Sequence, residues 1–129
     1  MFANTYYDKA LANFKHAKIV YAFARDDDEQ LNLIAYHLEQ ALELAIKYIL
    51  FMNGAPIQKT HDIDQLINYA TKNNIELYLN EYLLEHAEAI SNYESKTRYI
   101  MGYSVAIKQV KNLIQALDDY FLVLVQKFS

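Results

Sequence analysis

The chain has 129 residues, 53% of them apolar, with one proline, two glycines, no cysteine and a formal net charge of −4. So few turn-formers exclude a sheet protein of this size, which relies on Gly and Pro for its reversals. The missing cysteines exclude a disulfide framework and a thiolate zinc site. The negative charge argues against a general nucleic-acid binder, which carries a basic surplus, but leaves room for a local basic spot; DNA is not an expected partner. What remains is an all-α chain folding as one domain over 1–129, long enough to bury roughly two-thirds of its unfolded surface in one core.

In chain order, a first helix is expected from about Thr5 to Arg25, where Tyr7, Ala10, Phe14, Ala17, Tyr21 and Ala24 recur at three and four steps. The run "RDDDEQ" follows, its acids suited to the positive N-terminus of the next helix. That second helix, about Asp28 to Asn53, turns Ile34, Leu38, Ala41, Ala45, Ile49 and Met52 inward. It should stop at "NGAP", where Gly54 can take a left-handed cap and Pro56 cannot continue. Thr60 is the expected N-cap of a short third helix, "HDIDQLINYATKNN", with Ile63, Leu66, Ile67 and Ala70 inward.

A fourth helix is expected from Ile75 to Tyr93, carrying Tyr82, Leu83, His86 and Ile90 at helical spacing. After "SKTRYIMGY", a fifth runs from about Ser104 to Phe128, with Val110, Leu113, Leu117, Tyr120 and Leu124 on its stripe. The expected fold is an up-and-down bundle of four long helices plus one short helix. On the fifth helix, Ile114 and Phe121 widen the face made by Leu117, Leu124 and Phe128, which predicts either a homodimer or simply a thick core helix. "MFANTYYDK" lacks the basic start and apolar run of a signal peptide. The longest apolar stretch, Tyr120 to Val125, is too short to span a bilayer, so a cytoplasmic protein with no membrane partner is expected.

The second helix also carries a polar stripe. At about 100° per residue, Tyr36, Gln40, Glu43 and Lys47 share a narrow sector beside the apolar face, and His37 stands next to them. The plain reading is an exposed Glu43–Lys47 pair at i,i+4, worth a few tenths of a kcal/mol. The functional reading is the border of a groove that holds a ligand or a partner helix. His61 and Asp62 sit at the start of the third helix, where Asp62 suits the dipole. His16, His37, His61 and His86 show none of the H-x-x-x-H or H-x-x-E-H spacings, so no metal is expected. No glycine-rich phosphate loop and no Ser or Cys nucleophile motif is present, and no cofactor is implied.

Taken together, "YHLEQALELAIKYILFMNGAPIQKTHDIDQLI" resembles the core of HEPN domains. There the second helix carries a Tyr/Phe-His-x-x-Gln-x-x-Glu-x-x-x-Lys pattern, followed by a Gly-containing loop and a Thr-His-Asp helix start. Tyr36, His37, Gln40, Glu43, Lys47, Gly54, His61 and Asp62 match that pattern in order, and "YESKTRY" falls where the family has an Arg-Tyr pair. The resemblance implies a bundle that often dimerises and works on nucleotides or RNA. Many relatives are metal-independent endoribonucleases, commonly toxins paired with a nucleotidyltransferase antitoxin; others bind nucleotides or partners without catalysis.

Ribonuclease members carry an arginine followed, after four to six residues, by a histidine. Arg98 matches the arginine, but the three candidate positions hold Tyr103, Ser104 and Val105. A tyrosine, with a pKa near 10, is a poor base; Tyr103 would be catalytic with Arg98 only in a divergent ribonuclease, in which His61 is the other acid–base candidate. The leading expectation is therefore a binding module. In it, Arg98 grips phosphate bidentately, Tyr99 or Tyr93 stacks on a base, and Tyr36, His37, Gln40, Glu43, Lys47, His61 and Asp62 line the ligand side. A third reading is a scaffold in which Arg98 ties to Glu43.

Overall fold

The computed structural model describes residues 2–23, 27–93, 95–96 and 105–128. Five helices are present among them: α1 Phe2–Phe23, α2 Asp28–Met52, α3 Ile63–Lys72, α4 Glu81–Ser91 and α5 Ile107–Phe128. There is no strand among the described residues. α2 touches all four of the others and forms the axis of the bundle. Leu31, Ile34, Leu38, Leu42, Ile46, Ile49 and Leu50 are all buried along it, a wider apolar sector than a helix with one covered face would need. α1 covers one side through Ala10, Phe14 and Ala17; α5 covers another through Val110, Leu113, Leu117, Tyr120 and Leu124.

The helix ends follow local chemistry. Asp27 caps α2 by accepting from the Gln30 amide at 3.1 Å. α2 ends at Met52 with Asn53 as its C-cap, and Gly54 follows at a φ of +77°, which a residue with a Cβ would hold only under strain, while the Ala55 amide turns back onto the Leu50 carbonyl at 3.0 Å. The N-cap of α3 is Asp62 and not Thr60. Its carboxylate accepts from the Asp64 and Gln65 amides at 2.9 and 3.4 Å. Thr60 stands two residues further out, its hydroxyl accepting from the Asp62 amide and donating to Gln65 Oε1.

Among the described residues, the expected four long helices and one short become three long ones, of 22, 25 and 22 residues, and two short ones, of 10 and 11. The fourth helix begins at Glu81 and not near Ile75. Tertiary bonds hold the preceding segment out of the helix: the Tyr120 hydroxyl donates to the Leu77 carbonyl at 2.7 Å. Asn80 then caps α4 through the Leu83 amide while its own amide group donates to the Ala116 carbonyl. At the head of α5 the Val105 amide donates to Asn32 Oδ1 at 3.1 Å, tying that helix to α2.

Two expectations about packing also change. Met52, expected inward, is exposed. On α5, Leu117, Phe121 and Leu124, read from the sequence as part of a face for a second copy, lie in the chain's own core, with Ile114 and Phe128 half-buried against it. The apolar side chains that α5 leaves in solvent are Ile107, Leu122 and Val125. No described helix is long and apolar enough to cross a membrane.

Candidate functional site

Where α2 passes the start of α3, three of the residues singled out in the sequence converge. The Glu43 carboxylate is buried, its side chain 2% exposed, and Oε2 accepts from the Lys47 ammonium and from His61 Nδ1, both at 3.0 Å. Lys47 lies one turn beyond Glu43 on the same helix and is itself buried. The pair is thus an internal one, not the exposed i,i+4 contact that spacing alone suggested. His61 reaches Glu43 from just outside the cap of α3, and its side chain is 80% exposed. One face of the imidazole is anchored on a buried acid while the rest faces water.

Glu43 Oε1 is buried and has no hydrogen-bond partner among the described residues. An acceptor left in that state costs about 1–3 kcal/mol. Local rules of this kind are broken mostly where function demands it. Glu39, one turn before Glu43, is buried as well, at 3% exposure, and was not among the candidates. The spacing Glu39–Glu43–Lys47, four residues apart each time, was the signal that could have found it, since it sets all three on one helical sector.

The other candidates fall elsewhere. His37 points to the α1 side, where its Nδ1 lies 2.9 Å from Asn13 Oδ1 and its ring 4.5 Å from that of His16. Burial, and then His16, push its pKa below the usual histidine value. Tyr36 packs against the His37 ring, and Gln40 is half-buried on α2. Asp62 has its carboxylate engaged as the α3 cap. Tyr93 is buried in the core, so its ring is not presented for stacking. Arg98, Tyr99 and Tyr103 lie outside the described residues. Val105, the furthest position open to the ribonuclease histidine, is a core residue.

Beside His61, Gln58, Thr60, Gln65, Asn68, Tyr69 and Lys72 line a groove of about 400 Å³. It offers side-chain amides, a hydroxyl, one half-buried aromatic ring and one cation. Among the described residues no group of three or more His, Asp or Glu is placed to hold a metal ion.

The arrangement of α2, the Gly54 loop and the capped start of α3 agrees with a family comparison. The family model described as HEPN domain matches residues 3–120. The chain belongs to the HEPN domain family. No curated protein and no solved structure matches it significantly. Within this HEPN domain the fold brings Glu43, Lys47 and His61 of the sequence pattern into hydrogen-bonding contact.

Proposed function

We propose that this HEPN domain is a nucleotide- or RNA-binding module that acts as a single domain over its whole length, without metal or cofactor. Its ligand side is formed by Glu43, Lys47 and His61, with Arg98 and Tyr99 contributed from the α4–α5 connection. The observation that carries the reading is the buried Glu43 carboxylate holding an exposed imidazole in place. A helix pair needs no such device to fold, and a ligand-facing side chain does. The groove that includes Thr60, the residue before His61, supports it, since Tyr69 can stack on a base and Asn68 can read its edge.

Binding is preferred to cleavage because the arginine-then-histidine pattern of the ribonuclease members is incomplete, with Arg98 lacking its histidine. The reading includes self-association as a homodimer and a nucleotidyltransferase as protein partner, both following from the family resemblance. Calorimetric titration with ribonucleotides and a short single-stranded RNA, without metal, tests it. Saturable binding with the RNA left intact is expected. Absence of binding by either ligand would overturn the reading, and metal-independent cleavage lost in Arg98→Ala would replace it with the ribonuclease one.

A further inference from the structure

We infer that Glu43 is a positioning residue that fixes the tautomer of His61, and that His61 Nε2 is the atom that hydrogen-bonds the phosphate of a nucleotide. This deepens the nucleotide-binding reading above and rests on it. An ionised carboxylate accepts hydrogen bonds and donates none. Lys47 donates to Glu43 Oε2, and His61 Nδ1 lies 3.0 Å from the same oxygen, so Nδ1 carries the hydrogen. The second ring nitrogen, Nε2, is then the one left to meet a ligand, on a side chain that is mostly in water.

Charge and the fate of the neighbouring donors select the ligand. Glu43 and Lys47 neutralise each other, so within this trio a protonated His61 is the group that can donate, through Nε2–H, to an anion, against the Asp62 and Asp64 carboxylates at the same helix start. The start of α3 offers little else to a phosphate. The Asp64 and Gln65 amides are held by the Asp62 carboxylate, the Ile63 amide by Ser91 Oγ, and the Asp62 amide by Thr60. The usual anion site at a helix N-terminus is therefore occupied by the protein itself, and the histidine ring stands in its place. The groove lined by Asn68 and Tyr69 includes Thr60, the residue before His61.

Long-range ¹H–¹⁵N NMR of the imidazoles tests both halves. In the free protein, neutral His61 should show the Nδ1–H form. A Glu43→Met/Lys47→Met double variant, which removes acceptor and partner charge together and so leaves no orphaned ion, should return His61 to the Nε2–H form of an unconstrained imidazole. A ribonucleoside 5′-monophosphate should drive Nε2 to its protonated position, the parent ribonucleoside should not, and the double variant should bind the nucleotide about tenfold more weakly. Nε2–H in the free wild-type protein, or equal response to nucleoside and nucleotide, would overturn the inference. A nucleotide that binds while leaving His61 unmoved sinks the phosphate assignment alone. If neither nucleotide nor RNA binds, the broader reading falls, and the assignment with it.

Discussion

Lys47 and Glu43 are the residues whose chemistry differs most from their appearance in the sequence. An exposed pair at i,i+4 would contribute a few tenths of a kcal/mol. Buried, the pair acts through what its loss leaves behind: truncating one partner strands the other charge without water. Lys47→Ala is expected to lower unfolding stability by about 3 kcal/mol in denaturant titration, and a loss below about 1 kcal/mol would show the pair to be effectively solvated.

His37 gives a second test at this scale. Its folded pKa is depressed by burial and then by His16, so the unfolded chain binds the proton more readily. Stability then rises with pH across that window. The penalty on the folded state is absent above the ordinary histidine pKa, near 6.5, sets in as pH falls through it, and is complete below the lower folded value. Neighbours facing the ring are Asn13, His16 and Tyr36. His37→Gln should shrink the stability lost between pH 7 and pH 5, and an unchanged loss would rule out His37 as its source.

At the level of whole helices, periodicity served well where a single buried stripe decided the outcome. Val110, Leu113, Leu117, Tyr120 and Leu124 on α5, and Ala10, Phe14 and Ala17 on α1, are inward as their spacing requires. It served poorly for the start of α4, because the bonds from Tyr120 to Leu77 and from Asn80 to Ala116 join residues 43 and 36 positions apart. No local pattern encodes such a contact. The same limit applied to α5 as an interface: which of its apolar residues remain outside depends on where α1 lies. The proposed homodimer would therefore rest on the exposed side chains, of which Leu122 is 66% exposed. Light scattering at micromolar concentration should give twice the chain mass, and Leu122→Asp should bring it down to that of one chain; a monomeric wild-type protein would end the dimer proposal.

For the molecule as a whole, the all-α bundle was legible from composition, because one proline and two glycines leave no means to turn a sheet. The candidate site was legible only as a set of residues. Glu43 and Lys47 share a helical sector in the sequence, but His61 lies 18 positions beyond Glu43, across the Gly54 reversal, and only the packing of α3 on α2 brings them together. His37 instead faces α1, set by its own angular position on α2, although it adjoins Tyr36 in the sequence and in the family pattern. The central claim is that the exposed imidazole on a buried acid is where this HEPN domain meets its ligand. Calorimetric titration of a ribonucleoside 5′-monophosphate into the wild-type protein and into His61→Ala tests it most directly. The account predicts saturable binding to the wild type, weakened at least about tenfold in the variant, a loss of roughly 1.4 kcal/mol, with both proteins folded at the temperature of the titration. Equal affinity in the two proteins would contradict it.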